Sequence, residues 1–143
     1  MSIFTLSDAQ QHALLQAARS AQLKAYAPYS KYKVGAAVLD EHGQIHAGCN
    51  VENAAYPEGL CAEAAALSAM VLAGGTRAHA VLVVGNGGAG NWITPCGGCR
   101  QKLREFGPAE MPILSANATE LGPRHTLSAL LPESFGPDHL NAD

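Results

Sequence analysis

The sequence has little charge and few cysteines. Asp, Glu, Lys and Arg make up 15% of its 143 residues, compared with about 25% in a typical soluble domain. Twelve acidic residues outnumber nine basic ones, which argues against the basic groove of a protein that binds a nucleic-acid strand. Four cysteines are too few for a disulfide-stabilised scaffold. A surface with so little charge suggests that other subunits cover part of it.

Long apolar runs and a basic N-terminal segment are also missing. The longest apolar stretches are far shorter than the roughly 18 residues that indicate a membrane span, and residues 1–5 (MSIFT) do not resemble a secretory signal. We therefore expect no membrane partner and a location in the reducing cytoplasm. Cysteines in that compartment more often hold metal or do chemistry than form disulfides.

The residues that are present predict one α/β domain over residues 1–143. Nearly half of them (48%) are apolar, which is enough for a hydrophobic core and excludes disorder. Ser7 and Gln10 have the spacing of a capping box, so a helix should begin there, turn Tyr26 towards the core and stop at Pro28.

Further along the chain, strands alternate with helices. This order predicts helices packed on a single sheet, and the alanine-rich helix 61–73, whose only charge is Glu63, should be buried nearly all round. The predicted strands span residues 33–39, 44–48, 80–84 and, as the last one, 112–114, and the remaining helices span 94–106 and 126–131.

Three of the four cysteines form a candidate metal site. Cys96 and Cys99 have the C-x-x-C spacing that lets two thiolates reach one metal from the first turn of a helix, and Cys61 also stands at a predicted helix start. The N-terminus of a helix stabilises thiolates. Three thiolates leave the fourth tetrahedral position of Zn²⁺ open, which is typical of a catalytic rather than a structural site.

Other residues could also bind this metal. Cys49 follows a predicted strand and could be a fourth ligand, although free cysteines more often act as small buried apolar residues. Four histidines lack a paired spacing with a cysteine, so surface or strand positions are favoured for them; they are His42, His46, His79 and His125.

Glu63 has two interpretations. A lone carboxylate on an alanine-rich buried helix is costly without a partner. It could pair with a distant Arg or Lys, or it could serve as a general acid and base beside the metal, two residues after Cys61. The presence of the C-x-x-C helix favours the second interpretation.

Several segments together resemble the small nucleoside cytidine deaminases of the zinc-dependent cytidine deaminase superfamily. That superfamily carries a Glu-containing motif followed by P-C-x-x-C, with three cysteines as one variant of its ligand set. The resemblance extends over about residues 26–135. Its segments are 26–32 (YAPYSKY), 34–37 (VGAA), 48–56 (GCNVENAAY), 61–63 (CAE), 95–101 (PCGGCRQ) and 130–132 (LLP).

The resemblance implies a fold, a cofactor and a reaction. The fold is a three-layer α-β-α sandwich around a mixed five-stranded sheet, and the protein is a homotetramer with shared active sites. One Zn²⁺ per subunit lies on Cys61, Cys96 and Cys99. A zinc-activated hydroxide attacks C4 of cytidine or 2′-deoxycytidine, and Glu63 shuttles protons to give the uridine product and ammonia.

The resemblance also implies a set of substrate-binding residues. The Thr94 carbonyl accepts a hydrogen bond from the 4-amino group, and the Ala62 N–H binds the base carbonyl. Asn50 and Glu52 bind the ribose 3′-hydroxyl, although an Asn-rich loop could instead cap itself. Two aromatic residues complete the set, and core packing is the alternative role for both: Tyr32 would pack on the base, and Phe135 would enter the site of a neighbouring subunit.

The sequence departs from the family pattern directly after Glu63. Many members with three cysteines carry Arg there, whereas this chain carries Ala64. The charge of the thiolates must then be offset by the helix N-termini or by another cation, and Arg100 is present near the cysteines. We also hypothesise that the small side chain leaves room for modified cytidines, such as those substituted at N4.

Three other functions compete with nucleoside deamination. A deaminase of a cytosine-nucleoside antibiotic, similar to blasticidin S deaminase, shares the cysteine motifs, but residues 52–56 (ENAAY) favour a plain nucleoside. A non-catalytic zinc module would need a fourth protein ligand and would have no use for Glu63. A thiol redox protein using Cys96 and Cys99 would leave Cys61 and Glu63 unexplained.

Overall fold

A mixed five-stranded sheet forms the centre of the molecule, as the family resemblance implies. The computed structural model describes residues 4–140, so residues 1–3 of the N-terminal segment lie outside the described part. The strands run in the order β2-β1-β3-β4-β5, with only β3 and β4 parallel. They are β1 (Gly35–Asp40), β2 (Ile45–Cys49), β3 (Ala78–Val84), β4 (Pro112–Ala116) and β5 (Leu121–Thr126).

Helices cover both faces of this sheet and complete three layers. On one face lies α1, which packs against β1, β2 and β3, and on the other lie α2 and α3. None of the helices within residues 4–140 is both long and apolar enough to span a membrane. The helices are α1 (Asp8–Leu23), α2 (Ala62–Leu72), α3 (Gly97–Phe106), α4 (Leu127–Leu130) and α5 (Pro137–Leu140), with a 3₁₀ turn at Tyr56–Glu58.

Strand β1 is buried on both faces, which explains its run of small and branched apolar residues. Ala36 and Val38 point to the layer of α2 and α3, whereas Ala37 and Leu39 point to the layer of α1. Successive side chains of a strand alternate between faces. A continuous apolar run is therefore the pattern required of a strand between two helical layers.

A glycine in β2 sets the position of α2. A Cβ on Gly48 would lie 2.5 Å from the Ala66 nitrogen and 2.6 Å from the Ala62 carbonyl oxygen. Only a residue without a side chain allows the strand and the helix to approach so closely. This contact places the N-terminus of α2 against the edge of the sheet.

The first helix begins as predicted but ends early. Ser7 and Gln10 form the capping box, but α1 stops at Leu23, five residues before Pro28. The prediction that Tyr26 faces the core is wrong, because its side chain is 56% exposed. Its backbone N–H donates to the Asn50 carbonyl at 3.0 Å, so this segment pairs with the chain after β2 instead of continuing the helix.

The alanine-rich helix is less enclosed than predicted. Within a single chain, the side chain of Leu72 is 90% exposed and that of Val71 is 51% exposed. The helix buries the face that carries Ala62, Ala66 and Met70 against the sheet. The prediction that this helix is buried nearly all round is therefore wrong for a single chain. The side of α2 that carries Val71 and Leu72 is an apolar face exposed to solvent.

The fifth strand was not predicted from the chain pattern, which ended the strands at 112–114. Strand β5 contains Gly122 and Pro123 and is largely exposed, so it lacks the apolar run that marks β1 and β3. A proline is tolerated here because β5 lies at the edge of the sheet. The short helix α5 was also missed.

The turn between β1 and β2 is organised by a buried carboxylate. One oxygen of Asp40 accepts from the His42 and Gln44 backbone N–H groups at 2.8 and 2.9 Å, and the other lies 2.7 Å from Nε2 of His46. The side chains of Asp40 and His46 are 3% and 11% exposed. Burial raises the pKa of Asp40, but the hydrogen bonds outweigh it, and the pKa lies below its ordinary value of 3.8.

We expect Asp40→Asn to lower the free energy of unfolding by about 1–3 kcal/mol, because an amide cannot accept all three hydrogen bonds. The pKa of Asp40 is lowered in the folded protein. The carboxylate therefore contributes fully to the free energy of unfolding above its ordinary pKa, and this contribution is lost as the pH falls through the pKa of the folded state. Urea unfolding from pH 3 to 7 measures both effects. His42→Gln, in the same turn but with a side chain 64% exposed, should change stability by less than about 0.5 kcal/mol; an equal loss in both variants would contradict this assignment.

Candidate active site and metal centre

Two helix N-termini bring three cysteines together. Cys61 is the residue immediately before α2, and Cys96 is the residue immediately before α3; both have extended backbone angles. Cys99 lies in the first turn of α3 and is 1% exposed. The three sulfur atoms lie within 4.8 Å of one another, so the structure brings together the three predicted ligands.

The chemistry of this cluster fits Zn²⁺. Burial, followed by the nearby Glu63 and Cys61, raises the pKa of Cys99 above its ordinary value of 9.0, and burial also raises the pKa of Cys61. The pKa of Cys96 is lowered, chiefly by a hydrogen bond from the Cys99 backbone N–H. Two of the three crowded thiols thus resist ionisation, and a divalent cation stabilises all three as thiolates.

The cluster contains three ligands and not four. Among the described residues, neither Cys49 nor any of the histidines joins the group of potential ligand atoms. Cys49 is a half-buried residue at the end of β2. A three-ligand set with an open position argues against a closed structural zinc module, and the third sulfur at Cys61 argues against a simple two-cysteine redox pair.

Glu63 lies beside the cluster in the first turn of α2 and is 5% exposed. Burial raises the pKa of its carboxyl group above the ordinary value of 4.5. Its own backbone N–H, the Cys99 thiol and the charge of Lys102 oppose this rise only in part. Among residues 4–140, no cation forms an ion pair with Glu63 within 4.0 Å, so the distant ion-pair interpretation is not supported.

A cavity of about 450 Å³ is lined by Cys61, Cys96 and Glu63. Its volume lies in the range of small-molecule sites. Many of the residues predicted to bind substrate line this cavity, but Ala64 does not, so the small side chain of Ala64 adds no room to it. The predicted residues in its wall are Asn50, Glu52, Ala62 and Thr94.

Asn50 and Glu52 have positions fixed by the backbone around them. The Asn50 amide accepts from the Val34 N–H at 2.8 Å and donates to the Tyr32 carbonyl at 2.9 Å. The Glu52 carboxylate accepts from the Tyr29 N–H at 2.9 Å and from the backbone and hydroxyl of Ser30. The Ser30 hydroxyl bond, followed by these backbone bonds, outweighs burial and lowers the pKa of Glu52.

The segment before Cys96 is held from both sides. Ser115 on β4 donates to the Ile93 carbonyl at 2.6 Å. Arg100 donates to the Pro95 carbonyl at 2.7 Å and to the Thr94 hydroxyl at 2.7 Å. Among residues 4–140 no hydrogen bond to the Thr94 carbonyl is formed, so this oxygen is available to a ligand.

The sequence suggested that Arg100 could offset the charge of the thiolates, but its guanidinium group instead donates hydrogen bonds to oxygen atoms of the chain. Its third hydrogen bond, from Nη1, reaches the Leu130 carbonyl at 2.8 Å. All of its hydrogen-bond partners are oxygen atoms, two in the segment before Cys96 and one at the end of α4, so Arg100 ties that segment to α4. The sequence contained no signal for this bracing, because Leu130 lies 30 residues away.

The two predicted aromatic residues lie outside the wall of this cavity. Tyr32 is half-buried, and its hydroxyl lies close to Gly85. Phe135 is 58% exposed and stacks on His139 with ring centroids 5.2 Å apart. A single chain therefore brings neither ring to the cavity, and their roles in substrate binding remain predictions. Tyr56 does line it, and its position in the 48–56 segment is the only signal for it in the sequence.

Comparison with known proteins agrees with this geometry. The family model of the cytidine and deoxycytidylate deaminase zinc-binding region matches residues 8–115. The chain belongs to this family. Membership makes the protein a zinc-dependent deaminase, with one Zn²⁺ per subunit, which the three thiols fit.

Relatives and solved structures support the assignment over most of the chain. A cytidine deaminase of Mycobacterium tuberculosis (strain CDC 1551 / Oshkosh) is 44% identical over 123 residues, covering 86% of this chain and 87% of the relative. A cytidine deaminase of Sporosarcina psychrophila is 39% identical over 128 residues, covering 90% of this chain and 93% of the relative. The crystal structure of cytidine deaminase from Burkholderia pseudomallei superposes with a TM-score of 0.80 at 41% identity, covering 87% of this chain and 98% of that one.

We expect Cys61→Ser to weaken zinc binding by about tenfold or more, because it removes one of three thiolates from the cluster. Zinc content after dialysis against a chelator measures the loss. Cys49→Ser is the matched control: it makes the same atomic change outside the cluster and should keep the metal. Equal zinc loss in the two variants would contradict the ligand assignment.

Proposed function

We propose that the protein hydrolyses cytidine and 2′-deoxycytidine to the corresponding uridine and ammonia. The observation that carries this proposal is the buried carboxyl group of Glu63 beside a three-thiol metal site, in the wall of a cavity of small-molecule size. The names of the relatives, which are cytidine deaminases, support the choice of substrate.

Cys61, Cys96 and Cys99 would hold the zinc ion. When bound, zinc would supply Lewis-acid activation of the attacking water molecule. The chain supports this by placing two of the ligands at helix N-termini, where the peptide dipoles favour negative charge.

Glu63 moves the protons of the reaction. Its carboxylate takes one proton from water and delivers it to ring N3 as the water oxygen bonds to C4. It then passes the second water proton to the 4-amino group, the C4–N bond breaks, and ammonia leaves. At the end of the reaction Glu63 is again a carboxylate, as it was at the start. The raised pKa of this buried group suits a residue that must both accept and return a proton.

Backbone groups of Ala62 and Thr94 orient the base. Helix α2 starts without a side-chain cap, and among the described residues the Ala62 N–H has no hydrogen-bond partner, so it is available to the carbonyl oxygen of the base. The free Thr94 carbonyl would accept from the 4-amino group. These two groups distinguish the amino edge of cytosine from its carbonyl edge.

Asn50 and Glu52 bind the ribose. Both line the cavity on the same segment, and both are held by backbone hydrogen bonds before any ligand arrives. A pre-oriented carboxylate binds a sugar hydroxyl without the entropy cost of ordering itself. Glu52 accepts from the 3′-hydroxyl, and the Asn50 amide completes the contact.

The active form is a homotetramer in the cytoplasm. The exposed apolar face of α2 at Val71 and Leu72 supports burial between subunits. Phe135 is exposed on a segment held to α3 by the Gln101 amide, which donates to the Phe135 carbonyl at 2.8 Å. It is thus presented outward, where it would enter the site of a neighbouring subunit, while Tyr32 packs near the base.

We expect Glu63→Gln to lower kcat by about 10²–10⁴-fold while zinc stays bound, because the amide keeps the shape of the side chain and cannot shuttle protons. The loss of cytidine absorbance follows the rate, and metal analysis reports the zinc. Glu110→Gln, an equivalent change in an exposed turn, should keep the wild-type rate. A zinc-loaded wild type inert towards both cytidine and 2′-deoxycytidine would overturn the proposed function, and full activity of Glu63→Gln would overturn the proposed mechanism.

We expect Glu52→Gln to lower kcat/KM for cytidine by about tenfold or more, mostly through KM, because a charged acceptor for the ribose is lost. The comparison substrate is 3′-deoxycytidine, which lacks the hydroxyl group. The difference between variant and wild type should shrink for that substrate. An undiminished difference would mean that Glu52 acts only by holding the Tyr29 and Ser30 turn.

A further inference from the structure

The proposed metal centre carries more negative than positive charge. Three thiolates around Zn²⁺ leave one uncompensated negative charge, and the carboxylate of Glu63 adds another beside it. The excess makes the metal a weaker Lewis acid, and groups around the ligands normally offset such charge. A cation of the chain close to the ligands would offset this charge.

The two arginines of helix α3 are bound to other groups. The guanidinium of Arg100 donates to the Pro95 and Leu130 carbonyls and the Thr94 hydroxyl. Arg104 donates to the Ser134 hydroxyl and forms an ion pair with Asp138 at 2.7 Å. Lys102 is the remaining basic residue of α3.

The side chain of Lys102 extends back along the helix towards the cysteines. Its Nζ atom lies 3.7 Å from the position that a Cβ on Gly98 would take. Gly98 stands between Cys96 and Cys99, so the ammonium group lies over the turn that carries both. The positive end of a helix dipole repels a lysine there, and negative charge in the cluster offsets that repulsion.

Lys102 also shares a space with the residue after Glu63. Ala64 on α2 and Lys102 on α3 line a cavity of about 440 Å³ between the two helices. The methyl group of Ala64 leaves this space open to the lysine. Glu105 lines it too, but among the described residues no ion pair joins Glu105 to Lys102.

We propose that Lys102 is a positioning residue that offsets the negative charge of the zinc-loaded centre from the space beside Ala64. It touches neither substrate nor reacting atoms; it acts through the thiolates and Glu63. The consequence for catalysis rests on the proposed function, whereas the consequence for zinc retention does not.

The test measures zinc affinity of the full-length protein by competition with a chromogenic chelator. We expect Lys102→Gln to weaken zinc binding by about 3- to 10-fold, less than the usual effect of an outer-shell partner, because the lysine is exposed. The loss should shrink at about 1 M salt, where screening acts over about 3 Å. Lys102→Arg should keep the affinity, and Ala64→Arg should restore it in the Lys102→Gln protein, because both put a cation in the same space.

The control is Lys24→Gln, which removes the same charge at the end of α1, on the opposite face of the sheet. It should leave zinc affinity unchanged. An unchanged affinity in Lys102→Gln, an equal loss in Lys24→Gln, or a loss that Ala64→Arg leaves unrestored would overturn the proposal. Cytidine deamination by the wild type is measured separately, so a failure of the proposed function is seen as an inert wild type whatever the zinc affinities are.

Discussion

The convergence of two helix N-termini is the constraint on which the rest of the site depends. Three sulfur atoms lie within 4.8 Å of one another because the residues at the starts of α2 and α3 meet in space. The glycine at position 48 allows α2 to lie against β2, and the bracing by Arg100 fixes the segment that leads into α3. The fold thus brings together the two helix starts that carry the cysteines.

The same arrangement explains why a carboxylic acid can be buried beside the cluster. Glu63 is in the first turn of α2, where free N–H groups and the helix dipole favour negative charge. Burial nevertheless raises the pKa of its carboxyl group above the ordinary value. A carboxylate at the other end of the helix would meet the negative end of the dipole.

The cluster of three cysteines and the buried carboxyl group of Glu63 could be predicted from the sequence because their chemistry is local. C-x-x-C at a helix start and a lone carboxylate on an alanine-rich helix are informative without any knowledge of the fold. Tyr26 and strand β5 were harder to predict because their states depend on distant partners. Tyr26 pairs with the chain after β2, and β5 becomes a strand by pairing with β4 although it lacks an apolar run.

The exposed apolar face of α2 was also difficult to predict, because its burial depends on partners outside the helix. A helix composed mainly of alanine and other apolar residues looks fully buried in sequence, yet one chain covers only the face of α2 that meets the sheet. The opposite face and the exposed ring of Phe135 then require a partner to be removed from water. Burying both against neighbouring copies would also account for the low charge content, since residues between subunits need not be charged for solubility. The low charge content and the exposed apolar face of α2 thus have one physical cause under the proposed tetramer.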